Sequence, residues 1–369
     1  MANSTKLTAA PFEARDSMQA QERSAPPVST PSDASATSQM MYDTAKSSNA
    51  AQPRVSIIVV TYGSSKEIPD CVESLLKQSV PVEIFLVDNA SPDNTAQMVS
   101  EYAARFENVH AILNTKNVGL AAGNNAPMGK CQGEYLLMLN PDTFFRNNSL
   151  ERMVEFLDRN PDVGVVGPKE VNADGHPHVS FRRSWGLRHV FTWRVLPYRF
   201  PRFLHDRFSS YATQDVLFVS GSCLLIRRSL FEQIGGYDPE YFLSIEDVCD
   251  LCLRVKQTGS RVVFLGDQEV VHHTGRSGAQ APYIAIWHSN RDSVYHFLKH
   301  KGVLPALVVS FLLLTAAATK TVTAAILGIA KKRYRNIARM YARLFWHLVV
   351  KNPIRGGRAG LSASPGSAA

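Results

Sequence analysis

Asp142 stands where an α/β protein most easily does chemistry. It lies in Leu139-Asn140-Pro141-Asp142-Thr143, directly after the apolar run Tyr135 to Leu139. That run reads as a buried strand, and open α/β sheets take their ligands just past the carboxyl ends of such strands. A carboxylate there suits a hard divalent cation, Mg2+ or Mn2+, with phosphate oxygens and water completing the shell. The competing reading makes Asp142 a loop residue capping a helix that starts near Asn148. Three more polar clusters succeed apolar runs upstream: Thr61-Tyr62-Gly63, Asp88-Asn89-Ala90-Ser91, and Asn114 with Asn117 to Asn125. Asp88 has the chemistry to accept the N3 hydrogen of a uracil or thymine ring, and Tyr62 to stack on that ring. The Gly119-to-Asn125 segment opens a helix whose N-terminus suits a diphosphate. Thr61, Tyr62, Asp88, Asn89, Asn117, Gly119, Asn124 and Asn140 thus form a candidate nucleotide site. The simpler alternatives are an Asx-type turn at Asp88-Asn89 and close helix packing at Gly119 and Gly123.

The elements that must carry these clusters are legible from periodicity. Val55 to Val60, Val82 to Val87, Val109 to Leu113 and Glu134 to Leu139 read as strands. Ile68 to Gln78, Asp93 to Phe106 and Gly119 to Lys130 read as the helices between them. Such alternation with short loops predicts a mostly parallel sheet with right-handed crossovers, an α/β class. Consecutive parallel strands bring their carboxyl ends, and so the four clusters, to one rim. No strand is followed by G-x-G-x-x-G, which removes the best signal for a dehydrogenase-type dinucleotide fold.

In combination, VSIIVVTYG, LVDNAS, NVGLAAGNN and LNPD resemble the inverting GT-A glycosyltransferases of family 2, particularly the bacterial rhamnosyltransferase-like branch. The resemblance implies a GT-A fold in which Asp88 binds the pyrimidine. It also implies that Asp142 binds the metal bridging the sugar-nucleotide diphosphate. Asn140 replaces the first acid of the usual pair, so Asp142 would be the only carboxylate ligand of that motif. The second half of the resemblance is Ile245-Glu246-Asp247-Val248-Cys249-Asp250-Leu251-Cys252-Leu253-Arg254. The family keeps its general base in this E-D motif, which implies Asp247 as the base and Glu246 as a residue orienting the acceptor or the base. Three acids at a helix start also simply favour its dipole. The usual pattern is E-D-x-D-L-x-x-R, and Cys249 reads as an added residue. One insertion rotates the remainder of a helix by about 100°, which makes Asp250 the alternative base. Val270 to Ser277 resembles the family's H-x-x-G-x-S segment and selects His272 over His273 to complete the metal shell or touch the diphosphate. The implied reaction moves rhamnose or another hexose from a dTDP- or UDP-sugar to a lipid-linked or cell-surface glycan. A catalytically silent sugar-nucleotide-binding scaffold at the membrane is the alternative.

Between the halves, His178 to Ser210 interleaves seven arginines, beginning with Arg182 and Arg183, with aromatic residues. We read it as an acceptor loop that meets a lipid diphosphate or the bilayer surface. The net charge of +8 is unevenly spread. From Lys299 onward there are 12 Lys plus Arg and no acid, whereas the first 298 residues hold 28 bases against 32 acids. The basic character therefore belongs to the C-terminal segment, which suits an anionic membrane surface and argues against a nucleic-acid partner. Gly302 to Thr319 is apolar and Lys331 to Val350 is amphipathic. Together they suggest a monotopic or re-entrant piece on the cytoplasmic face, or one marginal span. Residues 1–53 are polar and aperiodic and read as a disordered extension without signal-peptide features. The expected order is that extension, a catalytic domain over 54–298, membrane-associating helices over 299–355 and a flexible tail over 356–369. Five scattered cysteines, including the Cys249-Cys252 pair, read as reduced thiols.

Overall fold

Runs of aliphatic and β-branched residues with every side chain buried are strands covered on both faces. The computed structural model describes residues 52–192, 211–273 and 282–356, and in it these runs form such strands. The expected extension up to residue 51, the second half of the arginine-aromatic stretch, Gly275 and Ser277, and the tail beyond 356 lie outside the described residues. Strand β1 (Val55–Thr61) is entirely buried. It leads through helix α1 (Ile68–Leu76) to β2 (Val82–Asp88), and helix α2 (Thr95–Arg105) leads on to β3 (Val109–Leu113). Helix α3 (Leu120–Asn125) precedes β4 (Tyr135–Leu139) and β5 (Thr143–Phe144). Helix α4 (Ser149–Arg159) then precedes β6 (Val163–Val171), β7 (Pro177–His178), β8 (Phe181–Arg182) and the one-turn α5 (Leu187–Val190). The second half has β9 (Gln214–Asp215), β10 (Phe218–Val219), β11 (Cys223–Arg227), α6 (Arg228–Gln233), α7 (Ile245–Gln257) and β12 (Arg261–His272). Three long helices complete the order: α8 (Pro282–Lys301), α9 (Val303–Ala330) and α10 (Arg333–Val350).

Among the described residues the main sheet runs β3-β2-β1-β4-β11-β6-β12-β5, with β7 on β6 and β9 on β12. The β3-β2-β1-β4 half is parallel, as the alternation predicts. Strand β11 enters antiparallel between β4 and β6, and β6 is again parallel to β12. One rim therefore collects the carboxyl ends of β2, β1, β4, β6 and β12 and the start of β11. One apolar cluster covers each sheet face, with Leu137 and Leu225 on one side and Leu136 and Leu224 on the other.

Helix α3 ends at Asn125 rather than continuing to Lys130. Ala126 still has helical angles, but Pro127 has no N–H to donate to the carbonyl four residues back. Helix α8 runs unbroken through residue 298, where the sequence suggested a boundary. Helices α9 and α10 fold back on each other as an antiparallel hairpin: Arg335 Nε donates to the Gly328 carbonyl at 2.9 Å. Nearer the open end, Lys320 Nζ sits 5.3 Å from the Tyr341 ring centre. Trp287, Val294 and Phe297 of α8 bury the inner side of that hairpin together with Val190 of α5.

Gly119 is fixed by its surroundings. Its φ is +87°, and a Cβ there would lie 2.7 Å from the Phe242 carbonyl oxygen, which accepts the Leu120 N–H at the start of α3. With ψ at 174°, Gly119→Ala should cost about 1–3 kcal/mol in backbone strain alone, plus the displacement of Phe242. A Cβ on exposed Gly129 meets nothing within 4 Å. Thermal unfolding should therefore show a lowered Tm for Gly119→Ala and a near-native Tm for Gly129→Ala; equal Tm values would contradict this packing.

Candidate active site

At the end of β2 the chain turns sharply, with Ala90 in the left-handed region at φ 57°. The turn brings Ser91 back onto Asp88. The Ser91 N–H donates to Asp88 Oδ2 at 3.0 Å, and the Ser91 and Thr61 hydroxyls donate to Oδ1. Asp88 is 1% exposed. A carboxylate has about four acceptor positions, so room remains for one more donor at the rim. Asn89 Nδ2 donates to the Gly119 carbonyl at 3.0 Å while its Oδ1 accepts from Asn114 at 2.8 Å. Asn117 Oδ1 accepts the Gly119 N–H, and Asn124 Nδ2 donates to the Leu120 carbonyl. These asparagines shape the backbone of the loop, so their amide groups are already engaged. Tyr62 stands partly exposed beside Thr61.

Asp142 is brought to its partner by sheet register. Strand β5 pairs antiparallel with β12, Thr143 opposite His272, and the His273 N–H donates to the Asp142 carbonyl at 2.9 Å. Asp142 caps no helix; that work falls to Asn147, whose Oδ1 accepts the Ser149 N–H. Asp142 is 3% exposed, and its Oδ1 is buried without a hydrogen-bond partner. It lies 3.4 Å from His272 Nε2. Two ligands about 2.1 Å from one divalent ion stand at a similar separation. An orphaned carboxylate oxygen beside an imidazole nitrogen is a donor set that fits such an ion. Burial opposes charge on His272, but Glu170 and Asp142 outweigh it and push the imidazolium up to about 10. The field at this spot attracts a cation.

His272 and Asn140 line a cavity of about 200 Å³ whose other walls include Arg182, Ser180, Ser220, Ser222 and Asp247. Asp247 sits in the first turn of α7, buried, with Oδ1 bonded to the Val248 N–H and Oδ2 without a partner. Burial pushes its carboxyl well above the usual range. The negative neighbours Asp292, Glu246 and Asp250 add to that, against the opposing pull of the Val248 N–H. Glu246 is fully buried and accepts the Ser293 hydroxyl of α8 instead of lining the cavity.

Asp250, the alternative base, is corrected by its partners. Oδ2 meets Arg254 at 2.8 Å, and Oδ1 meets His300 at 2.7 Å and Lys299 at 2.6 Å. Burial alone would raise its pKa, but these cations hold it well below the usual carboxylate range. Oδ1 serves the α7–α8 contact, and Oδ2 pairs with Arg254 within α7. The two arginines expected in one acceptor loop also part company. Arg182, on strand β8, reaches the cavity wall, whereas Arg183 is exposed and donates to Gln214 at 2.7 Å.

Motif reading missed several residues here. Glu170, on β6, accepts from Ser222 and lies 2.7 Å from His272 Nδ1. Its only trace in the sequence is a lone acid near the end of a mostly apolar strand. Asp292 of α8 accepts the Phe242 N–H at 3.2 Å and bonds Arg291 at 3.0 Å; its pKa is pushed up to about 7, burial first, with Glu246 adding. It thereby holds the residue that packs on Gly119.

The family model for Glycosyl transferase family 2 matches residues 56–235. The N-acetylglucosaminyl-diphospho-decaprenol L-rhamnosyltransferase of Mycobacterium tuberculosis is 31% identical over 268 residues, covering 67% of this chain and 85% of that protein. The poly(ribitol-phosphate) beta-N-acetylglucosaminyltransferase TarS of Staphylococcus aureus is 25% identical over 229 residues, 61% of this chain and 36% of TarS. Among solved structures, GalNAc-T7 with UDP, GalNAc and Mn2+ superposes with a TM-score of 0.50 at 16% identity, covering 68% of this chain and 48% of that one. That likeness is one of fold. The mixed sheet with its mostly parallel half has the GT-A arrangement.

Asp247 and Asp250 make opposite predictions for stability. A carboxyl whose pKa is raised in the folded protein subtracts stability once pH exceeds its unfolded value. Asp247→Asn removes that penalty, so its Tm at pH 7 should be unchanged or higher. Asp250→Asn takes the carboxylate from Arg254 and Lys299, a loss of about 3–5 kcal/mol for a broken buried pair. Denaturation curves with the reverse ranking would refute the assignment of these two side chains.

Proposed function

The chain belongs to glycosyl transferase family 2, and from that membership we propose that it moves a hexose, rhamnose first among them, from a dTDP- or UDP-sugar to a hydroxyl of a lipid-linked or cell-surface glycan. It is a glycosyltransferase; the donor, the acceptor and the residue roles are our reading. One observation carries it: Asp247, with a bare buried oxygen, shares one cavity with Asn140 and His272, the residues beside Asp142. An acceptor hydroxyl in that cavity would meet both the base and the diphosphate end.

An alcohol is a poor nucleophile near neutral pH, and a carboxylate within hydrogen-bond reach takes its proton as the new bond forms. Asp247 Oδ2 is that acceptor of the proton, and its raised pKa matches the task better than an ordinary carboxylate would. Attack from the Asp247 side, opposite the departing diphosphate, inverts the anomeric carbon. Asp142 and His272 would hold a divalent ion, which when bound neutralises charge on the diphosphate. Asp88 takes the N3 hydrogen of the pyrimidine and Tyr62 its ring face. Arg182, at the cavity wall, suits an anionic acceptor such as a lipid diphosphate.

The C-terminal hairpin supports a lipid-borne acceptor. Residues Val303–Ile329 are one helix long and apolar enough to cross a membrane, with a mean hydropathy of 1.9. Leu304, Phe311, Ile329 and Trp346 are each more than 60% exposed on the hairpin. An apolar face of that extent wants lipid, and the flanking lysines and arginines suit the anionic cytoplasmic leaflet.

The test is transfer by purified chain from dTDP-rhamnose and a panel of UDP-hexoses to lipid-linked acceptors. Asp247→Asn should lower kcat by about 10²–10⁴-fold while UDP binding, read by calorimetry, stays intact. In the unmodified protein kcat/KM should rise with pH along a limb well above the usual carboxylate range, since only ionised Asp247 accepts a proton. Asp292→Asn, which removes a neighbouring negative charge, should move that limb to lower pH. Wild-type turnover in Asp247→Asn would assign the proton to another base; no transfer by the unmodified protein, with UDP still bound, would favour the silent scaffold.

A further inference from the structure

Glu170 is an acid buried to 1% exposure near the end of β6, which is apolar up to Lys169. Burying a carboxylate costs several kcal/mol unless donors surround it, and here they do. Oε1 accepts the Ser222 hydroxyl. Oε2 lies 2.7 Å from His272 Nδ1 and 2.9 Å from His178 Nε2. Ser222 in turn accepts the Asn140 N–H on its carbonyl at 2.9 Å. One side chain thus ties β6, β11, β12 and the Asn140 turn together at the point where Asp142 meets His272.

The consequence is electronic as well as mechanical. A hydrogen bond from Nδ1–H to a carboxylate fixes which imidazole nitrogen keeps its lone pair, and makes that nitrogen a better metal ligand. With Nδ1 committed to Glu170, the remaining nitrogen, Nε2, faces the orphaned Asp142 oxygen at 3.4 Å. We propose that Glu170 is a positioning residue for cation binding: it locks His272 so that Nε2 and Asp142 Oδ1 form a preorganised seat for one divalent ion. The inference rests on reading Asp142 and His272 as the metal end of the site. A different arrangement uses the ligand atoms of Glu170, His178 and His272, which lie within 4.8 Å of one another. The Glu170 distances of 2.7 and 2.9 Å are hydrogen bonds, and an ion seated there would leave Asp142 Oδ1 still unpartnered.

The experiment is Mn2+ titration of the full chain in the presence of UDP, followed by electron paramagnetic resonance, with Tm recorded for every variant. One ion per chain is expected. Glu170→Gln, which keeps the size but not the charge, should weaken Mn2+ binding about 10–100-fold, with turnover restored by excess Mn2+. His178→Ala should leave Mn2+ affinity within about threefold, because His178 meets Glu170 Oε2 and His272 Nδ1 and not the Nε2 that faces Asp142. Native Mn2+ affinity in Glu170→Gln, alongside weakened binding in Asp142→Asn and His272→Ala, would overturn the positioning role and keep the metal reading. Native affinity in Asp142→Asn and His272→Ala would overturn both. Loss of an ion on His178→Ala but not on Asp142→Asn would overturn the proposal in favour of the Glu170-His178-His272 arrangement. Should Glu170→Gln fail to fold, Ser222→Ala removes only the Oε1 anchor; it should weaken Mn2+ binding several-fold, and native affinity there refutes the proposal.

Discussion

The antiparallel pairing of β5 with β12 is the constraint on which the rest depends. A two-residue strand is a weak element, yet its register with β12 sets Asp142 against His272 and so joins the first half of the chain to the second. Without it, the Asn140-Pro141-Asp142 turn would sit at the rim of the parallel half with no imidazole opposite. The intervening antiparallel β11 contributes just as directly. It starts at the same rim, and its leading residue Ser222 carries both the Asn140 turn and Glu170. The active-site end is thus the meeting of two sheet halves, with polar groups held dry by the strands that bring them.

The second support is helix α8. Its inner face supplies Ser293 to Glu246, Asp292 to Phe242, and Lys299 and His300 to Asp250. The same helix leads through Gly302 into the apolar hairpin and packs against it. The elements around the candidate base and the exposed apolar hairpin therefore meet on one helix. A hairpin seated in a membrane would hold the cavity at a fixed height above the surface, which suits an acceptor whose reactive sugar is tethered to a lipid.

Much of this is legible in the sequence. The strands of the parallel half differ from their expected bounds by a residue at most, because runs such as Val55 to Val60 admit little else. The rim residues are dictated by strand order alone. Long-range partners are not readable in the same way. Asp247 lines the cavity while Asp250 is held by Lys299 and His300 about fifty positions away on α8. Arg182 and Arg183 are neighbours of one type, and they part because Arg182 is the last residue of β8, paired with Phe218, whereas Arg183 lies past the strand end. Glu170 carries no motif, since its role exists only when β6, β11 and β12 lie side by side. Pro127 is plain in the sequence, and its power to end α3 outweighs the helical pattern that runs on to Lys130.

The central claim is that Asp247 and the proposed diphosphate end border one small cavity, so that substitution is a single displacement. The most direct measurement is the anomeric configuration of the first product formed, read from one-bond carbon–hydrogen coupling by NMR. A configuration opposite to that of the donor sugar is predicted. Retention of the donor configuration would contradict the account, whatever the rates of the variants.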